Sequence, residues 1–90
     1  MPDNAILFYD YVPDILERRG PHREAHLAIL RELYDRGDCV VAGPTGDPVS
    51  GGLFVFRSAE SAEEFYERDP YVAAGLVTGH RVVPMTIALP

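Results

Sequence analysis

The run "GGLFVF", Gly51 to Phe56, most constrains the fold. Alternate residues of a strand point to opposite faces of the sheet, so this run presents apolar side chains on both. A sheet that contains it needs cover above and below. A chain of 90 residues sits at the small end of what buries a self-sufficient core. If its own helices cover one face, another subunit is expected to cover the other.

The remaining segments supply those helices. Residues 5 to 12, "AILFYDYV", are aromatic and β-branched, with Ile6 and Phe8 alternating against Leu7, Tyr9 and Tyr11, and read as a strand that Pro13 ends. From Pro21 to Arg36 the apolar residues recur at helical spacing, with Pro21 suited to a first turn and Gly37 to a C-terminal cap. "DCVVAGP" and "GGLFVFR" read as two strands joined in a hairpin around "TGDPVSG". "SAESAEEFYER" reads as a second helix. Ser58 or Ser61 is its N-cap, and Glu64 stands at capping-box spacing from Ser61. Pro70 breaks that helix and "PYVAAG" offers one more turn. "HRVVPMTIAL" reads as a last strand alternating Val83, Met85, Ile87 and Leu89, with Pro84 placing it at an edge or a bulge.

The order β-α-β-β-α-β predicts an α+β, ferredoxin-like fold, one antiparallel sheet with both helices on one face. With the second face covered by a partner, the expected assembly is a homodimer forming an α/β barrel or sandwich. Neither an internal repeat nor a linker interrupts the chain, so residues 1–90 are expected to form a single domain.

Charge narrows the function classes. All eight fixed cations are arginines, against 14 acidic residues, for a formal net charge of −6. A phosphate backbone needs a basic stripe, and none is present, so neither nucleic acid nor an anionic membrane is an expected partner. Without lysine, side-chain Schiff-base chemistry is excluded. Cys39 stands alone, which excludes an internal disulfide and a cysteine-based zinc cluster and fits a reducing, cytoplasmic compartment. No stretch approaches the ~20 apolar residues of a membrane span.

Candidate chemistry centres on "HREAH". His22 and His26 share a helix face at i and i+4, a spacing that can chelate zinc, but Arg23 stands where a zinc-protease helix needs glutamate, and no metal is expected. At ~100° per residue the apolar arc of this helix contains Leu27, Leu30, Leu33 and Tyr34, and Arg23 and His26 fall inside it. Glu24, Ala28, Glu32 and Asp35 lie opposite. A histidine and an arginine on the core-facing side must find partners or open on a cavity. Asp69 has two readings that spacing leaves open: an N-cap before Pro70, or a carboxylate that reaches His26 and orients it for acid/base work.

Other groups carry less. The glycines of the hairpin lack the phosphate-loop pattern, and Ser50, Ser58 and Ser61 lack a nucleophile elbow. Cys39 opens a strand as a small hydrophobe. Tyr9, Tyr11, Tyr34 and Tyr71 are core residues or the wall of an aromatic pocket.

"REAHLAIL", "VVAGP", "GGLFVF", "SAESAEEFYERDPYVAAGL" and "VVPM" together resemble the YciI-like (YCII-related domain) family over nearly the whole chain. The most specific marks are Arg23-x-x-His26-Leu27, Ala42-Gly43-Pro44 and Asp69-Pro70-Tyr71. The resemblance implies a dimeric ferredoxin-like α/β barrel and an active-site His–Asp pair, which falls on His26 and Asp69. Relatives include enzymes that eliminate halide from chlorinated muconolactones, beside members of unknown activity. The compact "TGDPVSGG" departs from the longer loop of many members.

The expected function is a small cytoplasmic enzyme, a lyase or isomerase without cofactor, acting on a small organic acid or lactone-like metabolite. His26 would move the proton and Asp69 would orient it. Arg23, Gly43, Pro44, Gly52 and Tyr71 would bind the ligand, the glycines through close backbone approach, with Arg23 pairing either with an acidic group of the ligand or with Asp69. The competing expectation is a non-catalytic dimeric module that binds a small molecule, with a structural His–Asp hydrogen bond.

Overall fold

The computed structural model describes residues 3–90. Strands β1 (Asn4–Tyr11), β2 (Cys39–Thr45), β3 (Gly51–Phe56) and β4 (Val77–Met85) form one antiparallel sheet in the order β2-β3-β1-β4. The helices are α1 (Ile15–Arg18), α2 (Gly20–Asp35), α3 (Ala59–Arg68) and α4 (Pro70–Ala73). α2 crosses from β1 to β2 with β3 between them, and α3 with α4 crosses from β3 to β4, the split arrangement of a ferredoxin-like fold.

Register sorts the side chains. Leu7 lies between Phe54 and Val82, and Tyr9 between Gly52 and His80, on the helix-covered face. There Leu7, Tyr9, Phe54 and Phe56 pack with Leu33 of α2 and Ala62 and Phe65 of α3 in one buried cluster. Ile6 lies between Val55 and Val83, and Phe8 between Leu53 and Arg81, on the opposite face, which carries no helix. The Arg81 guanidinium lies 4.3 Å from the Phe8 ring centroid, a cation–π contact on that face.

Helix ends follow the sequence closely. α2 closes in a Schellman turn: Asp38 N–H donates to Leu33 O at 2.9 Å and Gly37 N–H to Tyr34 O at 3.0 Å, with Gly37 at φ 85°. α4 closes the same way on Gly75 (φ 75°), with Leu76 N–H donating to Tyr71 O at 3.0 Å. Ser58, not Ser61, caps α3: its hydroxyl oxygen accepts from Ser61 N–H at 3.1 Å. Glu64 is thereby free of the capping box and serves an ion-pair network instead. Arg36 binds both its carboxylate oxygens, and Arg68 bridges Glu64 and Glu32, tying α3 to α2 on the outer surface.

Three expectations are corrected. The last strand runs from Val77 to Met85, so Ile87 and Leu89 lie beyond it and Leu89 is exposed. A short helix, α1, precedes α2 where no helix is expected. The buried face of α2 centres on His26 and Leu33, leaving Leu27 and Tyr34 exposed beside β2. Among the described residues no helix is long and apolar enough to cross a membrane.

Candidate active site

Asp69 sits at the junction of α3 and α4, 1% exposed, and three donors converge on it. The Tyr71 N–H donates to Oδ1 at 3.0 Å, the N-cap of α4. Nδ1 of His26 lies 2.8 Å from the same oxygen. The Tyr9 hydroxyl donates to Oδ2 at 2.8 Å. The two readings of Asp69 left open by the sequence therefore hold together, on one oxygen, while the other oxygen takes a partner that spacing did not reveal.

This arrangement fixes the histidine tautomer. A carboxylate accepting a phenol and an amide proton offers only lone pairs to Nδ1, so Nδ1 carries the hydrogen and Nε2 of the neutral ring keeps its lone pair. The face of the ring is fixed as well, since Tyr71 stacks on it with centroids 3.8 Å apart and planes 4° from parallel. Phe65 packs against it edge to face, with centroids 5.6 Å apart. Nε2 bonds to no described residue. Because no buried side-chain nitrogen or oxygen among the described residues lacks a partner, that atom opens on the cavity which His26 lines.

The cavity, about 130 Å³, lies between α2, the end of β2 and the aromatic side chains of β1, β3 and α4. Its wall combines Arg19, Arg23 and His26 with Leu27, Leu30 and Phe54, and closes with Tyr11, Tyr71 and the strand residues Ala42, Gly43 and Pro44 of β2. Among the described residues no acidic side chain lines it. Of the residues expected at the site, Arg23, His26, Gly43, Pro44 and Tyr71 are brought together, and Asp69 stands directly behind His26. Gly52 is the exception. A Cβ there would meet the Phe54 ring at 2.9 Å and the Tyr11 hydroxyl at 3.0 Å, so the glycine makes room for these two walls and does not itself face the cavity.

Burial, reinforced by the Asp69 charge and hydrogen bond, pushes the Tyr9 phenol well above its ordinary value and keeps it a donor. Tyr11 is pushed up by burial and then by Asp69, with Arg19 pulling the other way. Tyr71 is pushed up by burial, against the pull of Arg19 and Arg23. Sequence reasoning placed Tyr9 in the core or in the wall of an aromatic pocket, not as a partner of Asp69, and missed Arg19. A signal existed for each: a tyrosine on the buried face of a strand needs a partner for its hydroxyl, and Arg19 stands four residues before Arg23. Among the described residues no group of histidine, cysteine and carboxylate side chains has the makings of a metal site.

The YCII-related domain model matches residues 4–86. Protein YciI of Escherichia coli O6:H1 is 39% identical over 90 residues, covering 88% of this chain and 92% of that protein. An uncharacterized protein of Haemophilus influenzae is 30% identical over the same shares. Among solved structures, the 5-chloro-2-hydroxyhydroquinone dehydrochlorinase of Burkholderia phenoliruptrix AC1100, in complex with 2,5-dihydroxybenzoquinone, superposes with a TM-score of 0.74 at 26% identity, over 92% of this chain and 93% of that one. On the match across residues 4–86 and these relatives, the chain belongs to the YCII-related, YciI-like family.

Proposed function

We propose that this protein is a small enzyme of the lyase or isomerase type, in which His26 Nε2 removes or delivers a proton on a one-ring organic acid, lactone or quinol. The observation that carries this reading is a ring held at Nδ1 by a buried carboxylate, fixed on one face by Tyr71, and open only at Nε2 on a cavity. A histidine serving packing alone has no need of one bare nitrogen aimed at an empty space. The similarity to a dehydrochlorinase supports the same chemistry. In a chlorinated lactone Nε2 takes the proton from the carbon beside C–Cl, the C–H electrons form the new double bond, and chloride departs with the electrons of the C–Cl bond; in the keto tautomer of a chlorinated quinol the proton comes from a hydroxyl, whose electrons form the quinone carbonyl through the conjugated ring as chloride departs. Asp69 offsets the charge on the resulting imidazolium while staying ionised itself. Arg23 at the rim pairs with an acidic group of the ligand.

The test is chloride release from 5-chloro-2-hydroxyhydroquinone and from chlorinated lactones of one ring. A positioned acid/base group contributes ~10²–10⁴-fold, so His26→Gln is expected to lower turnover at least about 100-fold while remaining folded. Turnover that survives this substitution would sink the reading. A second reading, a non-catalytic small-molecule-binding module, draws on the structural duties of Asp69, which caps α4 and anchors Tyr9. It predicts ligand binding with no chemistry.

We also infer a homodimer. Ile6, Phe8, Leu53, Val55 and Val83 share the sheet face without helices, as the cross-strand pairs require. A second copy of the same face covers it best. Sedimentation of Phe8→Glu against the native chain tests this, with a shift to monomer expected.

A further inference from the structure

We propose that the cavity is built for a dianion: a one-ring compound with two acidic groups, each taken by one guanidinium of the pair Arg19 and Arg23. The inference rests on the reading of this cavity as the ligand site. Arg19 has helical φ and ψ (−72°, −22°) and so continues the path of α2 backward. Positions 19, 23, 26, 27 and 30 then step along one helix face at i, i+4, i+7, i+8 and i+11, and all line the cavity. The two cations stand one turn apart at its charged end. The apolar side chains Leu27, Leu30 and Phe54 form the rest, a surface suited to a ring.

Neither arginine has an ion-pair partner among the described residues, although the chain carries 14 acidic residues. Arg18 pairs with Asp14, Arg36 with Glu32, Asp38 and Glu64, and Arg68 with Glu32 and Glu64. Among the described residues Arg31, Arg57 and Arg81 are without an ion pair as well, so what distinguishes Arg19 and Arg23 is that they line this cavity together. Like charges at i and i+4 on a helix repel, and the arrangement costs stability unless something else neutralises it. A ligand with a single negative charge would leave one guanidinium uncompensated. The reach of both charges into the cavity shows in the phenols that close it: Arg19 opposes the upward push on Tyr11 and Tyr71, and Arg23 opposes it on Tyr71. Size sets the other limit. An engineered apolar cavity of ~150 Å³ holds benzene, so about 130 Å³ open at the rim holds one ring and its substituents, not two fused rings.

The experiment is a calorimetric titration of the full chain with benzoate, phthalate and isophthalate, which vary charge at nearly constant ring size. At least one dicarboxylate is expected to bind about tenfold tighter than benzoate, more so at low salt. Arg19→Gln and Arg23→Gln should each remove most of that advantage. Arg31→Gln, on the same helix but outside the cavity, should leave the advantage intact. Equal affinity for all three probes, immeasurably weak binding included, overturns the proposal. So does a preference for dicarboxylates that survives both substitutions. His26→Gln separates this result from the proton-transfer reading. Loss of turnover without any dicarboxylate preference removes the clamp and keeps the acid/base group. A dicarboxylate preference with turnover indifferent to His26 does the reverse.

Discussion

Removing one oxygen from Tyr9 is the sharpest probe of the site. In Tyr9→Phe the ring keeps its contacts with Phe54 (4.8 Å) and Phe65 (6.3 Å), so packing is preserved and only the hydroxyl is lost. That hydroxyl donates at 2.8 Å to Oδ2 of Asp69, a residue 1% exposed, so water cannot replace it. A hydrogen bond to a charged acceptor contributes ~1.5–3 kcal/mol, and a buried oxygen left bare keeps its full desolvation cost. Taking about 2 kcal/mol, and ~4–8 °C per kcal/mol for a domain of this size, Tm should fall by about 8–16 °C. Thermal unfolding followed by circular dichroism at neutral pH measures it, with native secondary structure retained below the transition. In an Asp69→Ala background the same substitution should cost little, because the donor has already lost its acceptor. A Tyr9→Phe protein melting within about 2 °C of the native chain would refute the argument, since a bond of this burial and geometry cannot be removed at so small a cost.

Three further outcomes follow from the same physics. The Tyr9 and Tyr11 phenols are held above their ordinary value of 10.0, first by burial, so the stability they contribute is whole below that pH and is lost as pH rises beyond it; urea unfolding between about pH 9 and 11 should show a slope that Tyr9→Phe flattens. At the acid end the sign reverses. Glu32 and Glu64 are held below 4.5 chiefly by hydrogen bonds from Arg68 and Arg36, so their contribution is present above that pH and lost on acidification through the folded values, an effect that Glu32→Gln with Glu64→Gln and high salt should both shrink. Burial pushes the Cys39 thiol up, and in the native protein it should react with a thiol reagent far more slowly than in denaturant; equal rates would place it outside the core.

The order of elements and the inward face of β1 are legible in the sequence because they rest on local rules: alternation in "AILFYDY", helical spacing from Pro21, and glycines at Gly37 and Gly75 where the chain must turn left-handed. Cap choice at α3 is less legible. Ser58 and Ser61 both satisfy the local preference, and the decision falls to Glu64, which is drawn away by arginines on two different helices. The face of α2 shifts for a related reason. Leu27 and Tyr34 satisfy the apolar pattern as well as Leu33 does, but the helix docks on Phe54 and Phe65 through His26, and a polar ring displaces two hydrophobes from the core-facing centre. Site partners 43 and 60 residues apart in sequence, His26 with Asp69 and Tyr9 with Asp69, obey no local rule, so family resemblance carries the first, and for the second the sequence shows that the Tyr9 hydroxyl needs a partner without showing which.

Asp69 links fold and site through a single side chain. By capping α4 it sets where Tyr71 begins its turn, and the closing bond from Leu76 to Tyr71 O pins the other end of that turn. Tyr71 then stacks on His26, while Asp69 itself holds His26 at Nδ1. One carboxylate thus fixes the imidazole along its edge directly and across its face through the helix it nucleates. Substitution at Asp69 consequently removes tautomer control, ring stacking and a helix cap together, and a loss of turnover there says little about which mattered. Substitution at His26 removes only the ring, leaving Tyr9 and the α4 cap bonded to the carboxylate. The proposed acid/base role is therefore separable from the structural one at His26, and inseparable from it at Asp69.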